Sequence, residues 1–282
     1  MITKMRTTIA TVFLGAATMA LLGATTASAQ DCEPAVSDDA LIQPGTLVMS
    51  TNPTLPPMQF VDSNGDLQGM RITLGNEIAS RLCLEPEYIR IEFSAMIPGL
   101  QAGRWDVINT GIFWTPERAE MMEMIPYESQ AISISVASGN PLGIAEPADL
   151  AGKTVGVEIG GFEEAKLGEL NDDLQSQGLD AIDVRTFDNF ATAYQALRAG
   201  QTDATVSIDA TAAEYASRGE FDRAISGLFP TPVALAMANE ELAEAVLGVL
   251  NDMMEDGSYQ ALFEEYGLLT NTAPFIIRGP ND

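Results

Sequence analysis

The chain has 282 residues, with 14 lysines and arginines against 40 aspartates and glutamates, no histidine, and a formal net charge of −26. A charge of this sign and size repels nucleic acid phosphates and anionic lipid surfaces, which argues against polyanion binding. The missing histidine excludes Ser-His-Asp and Cys-His catalysis and the commonest zinc ligand. A hydrophobic fraction of 46% is ordinary for a globular protein and excludes a disordered acidic tail.

The first 29 residues are typical of a secretory signal peptide. Lys4 and Arg6 form a basic start, residues 9–23 carry no charge, and Ala27-Ser28-Ala29 is a small-residue cleavage site. The apolar stretch is shorter than the roughly 20 residues of a bilayer span, although an N-terminal membrane anchor is the alternative. We therefore expect export to a bacterial periplasm and a mature chain that starts near Gln30.

The two cysteines, Cys32 and Cys83, are expected to form a disulfide because the predicted compartment is oxidising. The alternative is that Cys83 is a buried free thiol on a helix.

Strands and helices alternate in the first part of the mature chain. Asn64-Gly65 supplies the positive φ angles of a tight hairpin turn, and apolar residues recur every four positions at Leu74, Ile78 and Leu82. Gly103 is typical of a helix C-terminus. The predicted elements are a strand at 46–50, a hairpin at 58–70, a helix through 74–82, a strand at 88–93, a helix at 95–102, a strand at 105–109 and a helix that begins at 115–117.

The same alternation continues to the end of the chain. It predicts strands at 131–137, 154–159, 182–186, 204–208 and 233–238, and helices at 162–174, 190–199, 210–217, 240–256 and 259–265. Alternating strands and helices indicate an α/β fold with mostly parallel sheets covered on both faces. Because no Pro-rich or low-complexity linker interrupts the mature chain, ordered strands must join any two lobes.

An internal repeat also favours two lobes. At a constant offset of 97, the matching pairs are Phe93/Phe190, Leu100/Leu197, Ala102/Ala199, Gly103/Gly200 and Asp106/Asp203. The alternative is that L-x-A-G-x-x-D is a common turn between a helix and a strand. Two similar lobes would present strand ends at 109–111 and 207–209 to one cleft, and ligands of open α/β sheets bind beyond such ends.

Three segments carry a resemblance to a known family: STNPTLPPMQFVDSNGDLQGMRITLGNEIASRL, MIPGLQAGRWDVINTGIFWTPERAE and DLAGKTVGVEIGG. They resemble, in order, the motifs of family 3 extracellular solute-binding proteins of ABC importers, the polar amino acid group. The resemblance implies the two-lobed periplasmic binding protein fold of type II, with a ligand cleft between lobes and two crossing hinge strands at 131–137 and 230–235. Lobe 1 would comprise residues 30–132 plus 235–282, and lobe 2 residues 133–234.

The same resemblance implies a monomer that binds a small amino acid or derivative, docks on the membrane subunits of an ABC permease, and needs no cofactor or metal. We expect a non-enzymatic binding protein, since the chain lacks histidine and obvious paired carboxylates. A periplasmic dehydratase of the cyclohexadienyl type, with Glu158 or Asp209 as general acid, is one alternative. A ligand-sensing protein is the other.

Two residues are predicted to hold the charged ends of the ligand. Arg118 lies in the first turn of a helix capped by Thr115, and the resemblance implies that it binds the ligand carboxylate. A surface arginine that pairs with Glu117 or Glu120 is the alternative. Asp209 matches the family's ammonium-binding aspartate, although an aspartate there also suits a helix N-cap.

Other positions depart from the family. Glu158 interrupts an apolar strand and faces either solvent or the cleft, where it would favour a cationic ligand. Phe113 and Phe162 replace residues with hydroxyl groups, and ring faces attract cations, so a larger or N-substituted amino acid is expected. The predicted ligand-binding residues are Arg118, Asp209, Thr110, Gly111, Phe113, Glu158, Gly161, Phe162, Asn52, Leu55 and Phe93.

Overall fold

The computed structural model describes residues 32–280, so the predicted signal peptide at 1–29 lies outside the described residues. The strands are β1 Thr46–Thr51, β2 Thr54–Leu55, β3 Gln59–Val61, β4 Leu67–Gln68, β5 Glu85–Arg90, β6 Val107–Phe113, β7 Glu123–Ala137, β8 Thr154–Glu158, β9 Asp183–Phe187, β10 Ala204–Ile208 and β11 Phe221–Met237. The α-helices are α1 Met70–Arg81, α2 Met96–Gln101, α3 Pro116–Ala119, α4 Phe162–Ser176, α5 Phe190–Arg198, α6 Asp209–Ser217, α7 Glu240–Asp256 and α8 Ser258–Glu265.

One eight-stranded sheet, in the order β5-β1-β6-β11-β7-β10-β8-β9, contains most of the strands, and β2, β3 and β4 form a small separate sheet. The first group, β5, β1 and β6, is parallel, and so is the second group, β10, β8 and β9. The long strands β7 and β11 pair antiparallel between the two groups. This topology confirms the predicted α/β fold, in which two lobes are joined by two crossing strands.

The crossing strands are longer than the sequence predicts. The pairing of β11 with β7 extends from Phe221 opposite Ala137 to Met237 opposite Glu123, whereas only residues 131–137 and 230–235 were expected to cross. The register shifts repeatedly in the middle of β11, between Arg223 and Thr231. Glycine and proline in this stretch are typical of turns and bulges, which is why the sequence pattern does not indicate a strand there.

Strand β6 also extends beyond its predicted end at residue 109 and reaches Phe113. Its ladder with β11 is irregular between Ile108 and Ile112, and Gly111 adopts a φ of 78°. Bulges of this kind re-aim backbone and side chains at the edge of a binding site. The irregular stretch contains two predicted site residues, Thr110 and Gly111.

Both cysteines, Cys32 and Cys83, are disulfide-bonded, as the sequence predicts. Trp105 is buried and packs on Gly99, where an added Cβ would lie 2.0 Å from the indole ring, so it belongs to the core. Between residues 32 and 280, no helix has the length and apolarity needed to cross a membrane. The same residues contain no cluster of histidine, cysteine, aspartate and glutamate suited to a metal ion.

Candidate ligand-binding site

A cavity lies beyond the carboxyl ends of strands from both groups of the sheet. Its wall includes every predicted site residue except Asp209: Asn52, Leu55, Phe93, Thr110, Gly111, Phe113, Arg118, Glu158, Gly161 and Phe162. Four residues that the sequence reasoning missed complete the wall: Arg71, Glu163, Phe190 and Ile208. The structure thus brings the predicted residues together, while their role in binding stays a prediction.

Contacts between the two groups of strands close this cavity. The rings of Phe113, at the end of β6, and Phe162, at the start of α4, stack with centroids 4.4 Å apart and planes 27° apart. Asn52 Nδ2, just after β1, donates to Glu158 Oε1 at the end of β8 over 2.6 Å. The cavity volume of about 20 Å³ has room for about one water molecule. An amino acid does not fit in this volume, so the side chains that line the cavity would have to move apart to admit one.

The chain around Arg118 holds its guanidinium against the cavity wall. Thr115 caps the short helix α3, since its Oγ1 accepts from the Arg118 N–H over 3.3 Å. The Arg118 Nη1 donates to the Phe113 carbonyl oxygen over 2.8 Å, and the guanidinium lies 5.3 Å from the centroid of the Phe93 ring. Helix α3 has only four residues, so its dipole adds little to the charge of the arginine.

Arg118 lacks an ion-pair partner in the described part of the chain. No carboxylate there lies within 4.0 Å of its guanidinium, which excludes the alternative pairing with Glu117 or Glu120. Burial lowers the pKa of Arg118, and the more distant charges of Glu163 and Glu117 oppose that effect. A partly buried guanidinium without a counter-charge is stabilised by an incoming carboxylate, which it binds through charge-assisted hydrogen bonds.

Two buried carboxyl groups line the same cavity. Glu158 is 3% exposed, so the strand position faces the interior and the solvent-facing alternative is wrong. Burial raises the pKa of Glu158 well above its ordinary value of 4.5, and the charges of Glu163 and Glu92 add to this while the bond from Asn52 opposes it. Burial also raises the pKa of Glu163, despite a bond from its own backbone N–H and the attraction of cationic neighbours.

Arg71, in the first turn of α1, is the most deeply buried charge at the cavity. Its Nη2 pairs with Glu128 Oε2 on β7 at 3.0 Å, and both side chains are 1% exposed. Its Nε donates to the Tyr127 hydroxyl, and its Nη1 donates to Gln59 Oε1 and to the Thr110 carbonyl oxygen, over 2.9–3.1 Å. Arg71 therefore links the irregular stretch of β6 to the crossing strand β7.

Asp209 lies outside the cavity wall, and Ile208 takes the position beside it. Ile208 is the last residue of β10 and borders the cavity, whereas Asp209 is the first residue of α6. The Asp209 carboxylate accepts from Ser133 Oγ on β7 and from the Gly227 N–H on β11. It is the first residue of α6, one position after the N-cap residue Ile208, so it does not occupy the N-cap position, and its predicted role toward a ligand ammonium group stays a prediction.

Two of the four missed residues left a signal in the sequence. Phe190 is the repeat partner of Phe93, and both lie on the cavity wall, so the repeat pairs equivalent positions of the site. Glu163 directly follows Phe162 at the start of α4. Ile208 and Arg71 gave no signal, because the sequence pattern places Ile208 in an ordinary apolar strand and gives no reason to expect that Arg71 is buried.

The fold and the cavity define a class: a two-lobed α/β binding protein whose ligand site lies between strand ends of both lobes. The chain belongs to the bacterial extracellular solute-binding proteins, family 3, whose model matches residues 47–269.

Named relatives and solved structures agree with this membership. The L-cystine-binding protein TcyJ of Escherichia coli (strain K12) is 33% identical over 233 residues, which cover 79% of this chain and 82% of that protein. An ancestral arginine-binding protein bound to arginine matches with a TM-score of 0.73 and 33% identity, over 79% of this chain and 98% of that one. The ancestral amino acid-binding protein AncCDT-1, a precursor of cyclohexadienyl dehydratase, matches with a TM-score of 0.71 and 30% identity, over 79% and 95%.

Proposed function

We propose that this protein is the periplasmic substrate-binding component of an ABC importer that captures an amino acid or amino-acid-like solute. The observation that carries the proposal is the Arg118 guanidinium, which borders the cavity without a carboxylate partner in the described part of the chain. A ligand carboxylate supplies that partner. Family membership and relatives named for binding cystine and arginine support an amino acid as the ligand.

Closure of two lobes is the proposed mechanism. Lobe 1 comprises residues 30–132 and 235–282, and lobe 2 residues 133–234. The strand order supports this division, because β7 and β11 alone connect the two parallel groups within the sheet. The ligand would bind between the lobes, shift them toward the closed form by a hinge motion, and be delivered to the permease in that form. Cleavage of a signal peptide at 1–29 would release the protein into the periplasm.

The experiment that tests this function is a thermal-shift screen of the purified mature chain with amino acids, betaines, opines and polyamines. Any compound that binds the folded state raises the melting temperature, by about 2.7 kcal/mol of stability at 100 times its dissociation constant. We expect at least one amino acid to do so. A panel in which no amino acid raises the melting temperature would refute the proposal.

Arg118→Ala tests the carboxylate contact directly. Loss of one member of a buried charge pair costs about 2–5 kcal/mol, which is roughly a 30-fold loss of affinity or more. The matched control is Arg104→Ala, which removes an arginine from an exposed position of the same lobe and should leave the affinity unchanged. Calorimetric affinity of Arg118→Ala within about twofold of the wild type would contradict the assigned role.

Dehydration of a cyclohexadienyl acid is the second candidate function. It is favoured by one observation: burial raises the pKa of Glu158 well above 4.5, which keeps a proton available for general acid catalysis closer to neutral pH. We propose binding without catalysis, and prephenate separates the two functions. Formation of an aromatic product, followed by ultraviolet absorbance and lost in Glu158→Gln, would establish the dehydratase; no turnover above buffer is expected.

A further inference from the structure

We infer that a groove beside the C-terminal segment, residues 269–280, is a second binding site, for a small carboxylic acid with an apolar body. The groove has a volume of about 500 Å³, and none of its described wall residues belongs to the cavity between the strand ends. This volume lies within the range of about 300–1,000 Å³ that is usual for small-molecule sites. The family model ends at residue 269, so the C-terminal segment lies almost wholly beyond the part of the chain that the model matches.

The two crossing strands and the C-terminal segment form the walls of the groove. Strand β7 contributes Pro126, Glu128 and Ser129, β11 contributes Pro232, and the segment contributes most of its residues between 269 and 278. Two large apolar side chains of this wall are open to solvent, since Leu269 is 91% exposed and Ile276 is 54% exposed. Apolar surface that is exposed in one place, rather than scattered, marks an interaction site.

The C-terminal segment is held in place, so the groove is present before any molecule binds in it. Arg278 pairs with Met124 on β7 through two backbone hydrogen bonds of 2.8 and 3.2 Å. The Phe275 N–H donates to Asn251 Oδ1 on α7 over 2.9 Å, and the Phe275 ring packs edge-on against Tyr259 on α8 with centroids 5.1 Å apart. A preformed site loses little conformational freedom when a ligand binds.

Arg278 gives the wall of the groove a positive charge. Its guanidinium lies 5.2 Å from the centroid of the Trp114 ring, and among residues 32–280 no carboxylate lies within 4.0 Å of it. The carboxylate of Glu128, which also belongs to the wall, is 1% exposed and is already paired with Arg71 at 3.0 Å. The charge that the groove offers to a ligand is therefore the Arg278 guanidinium.

A small carboxylic acid with an apolar body complements both features of the wall. Its carboxylate accepts charge-assisted hydrogen bonds from Arg278, and its hydrocarbon part removes Leu269 and Ile276 from water. The net charge of −26 opposes an anion at long range, but salt screens charges beyond about 8–10 Å, so the guanidinium in direct contact has the larger effect. An uncharged amide of the same length lacks the first contact, and a short acid such as acetate lacks the second.

The test titrates octanoate, octanamide and acetate into the purified mature chain by calorimetry. Octanoate should bind about tenfold or more tighter than octanamide, the value of one hydrogen bond to a charged group, and also tighter than acetate by at least that factor. Because Arg118 can also bind a carboxylate, the titrations are repeated in Arg118→Ala, where both preferences should persist.

Variants of the wall locate the bound octanoate. In Arg278→Gln the preference for octanoate over octanamide should fall to about threefold or less, and in Arg278→Lys, which keeps the charge, most of it should remain. Ile276→Asp removes apolar contact and adds a like charge, so it should weaken octanoate by about tenfold or more. Arg104→Gln and Leu179→Asp are the matched controls, since they change an exposed arginine and an exposed leucine outside the groove, and both should bind octanoate as the wild type does.

Several outcomes would overturn the inference. They are an Arg118→Ala protein that does not bind octanoate, equal affinities for octanoate and octanamide, and an Arg278→Gln variant that keeps the full preference. Octanoate binding that is lost in Arg118→Ala and kept in Arg278→Gln would place the acid in the cavity between the strand ends instead. A dimer in light scattering that Ile276→Asp dissociates would show that a second copy of the chain covers the groove, which also contradicts the inference. The binding of amino acids in the cavity is measured separately, so none of these results decides the proposed function.

Discussion

Removal of Arg71 should destabilise the fold more than removal of any surface arginine. The guanidinium is 1% exposed, pairs with Glu128 at 3.0 Å, and also donates to Tyr127, Gln59 and the Thr110 carbonyl group. Arg71→Met leaves a buried carboxylate without its counter-charge, which costs about 3–5 kcal/mol. At about 2–4 °C per kcal/mol for a domain of this size, the melting temperature should fall by about 6–20 °C.

A double substitution separates the cost of the orphaned charge from the loss of the pair itself. In Arg71→Met/Glu128→Leu both charges are gone, and apolar replacement of a buried ion pair is often neutral for stability. The double variant should therefore regain most of the stability that Arg71→Met loses. Arg81→Met, at a half-exposed ion pair with Glu77 and Asp256, is the surface control and should cost at most about 1 kcal/mol.

Thermal and urea unfolding followed by circular dichroism measure all three variants, and an unchanged urea m-value validates the comparison. A decrease in the free energy of unfolding of less than about 1 kcal/mol in Arg71→Met would refute the reasoning. It would mean that hydration or protonation of the Glu128 carboxylate compensates for the lost counter-charge at little cost. A double variant no more stable than Arg71→Met would show that the hydrogen bonds to Tyr127 and Gln59, rather than the charge, carry the energy.

Two further predictions concern the cavity wall. Burial raises the pKa of Glu158 in the folded state above its value in the unfolded chain, so this residue's contribution to stability is present at low pH and is lost as pH rises. The wild type should gain melting temperature relative to Glu158→Gln on acidification from pH 7 to 5, and parallel profiles would contradict this. Gly111→Ala places a Cβ 2.0 Å from Arg71 Cζ at a φ of 78° and should cost about 1–3 kcal/mol in thermal unfolding. Gly168→Ala, in open space on α4, is its control and should be neutral or stabilising, and equal effects would refute the steric argument.

Local patterns predicted most of the elements. Residues 204–208 and 240–256 are a strand and a helix with the expected bounds, because apolar periodicity and helix-end residues act over a few positions. The sequence pattern did not predict the first residues of α1, because Met70 and Arg71 precede the apolar residues that recur every four positions from Leu74. The first part of β11 was missed because the ladder there is irregular around Gly227, and only pairing with β7 defines it as a strand.

The residues of the cavity wall were predictable where a side chain lies at the end of its own strand. The contacts between two segments that are distant in the sequence were not predictable. Phe113 and Phe162 were named as neighbours of the ligand, but their stacking depends on how two strand groups face each other. Arg71 reads as a solvent-exposed residue until Glu128 is seen beside it, since arginine is buried mainly when paired. At the end of β10, the sequence predicts Asp209 for the cavity wall, and the structure has its neighbour Ile208 there. The end of an element cannot be assigned from sequence to within one residue.

If a ligand binds in the cavity as proposed, the Phe113–Phe162 stack and the Asn52–Glu158 hydrogen bond compete with it for the same side chains. A stacked aromatic pair contributes about 0.5–1.5 kcal/mol, and a hydrogen bond to a charged or neutral partner about as much or more. Under the proposed function, a ligand would have to break these contacts before it makes its own, so its measured affinity would be a difference between two sets of interactions. A protein built in this way discriminates against compounds too small or too weakly bound to outcompete its own side chains, even when they carry the right charges.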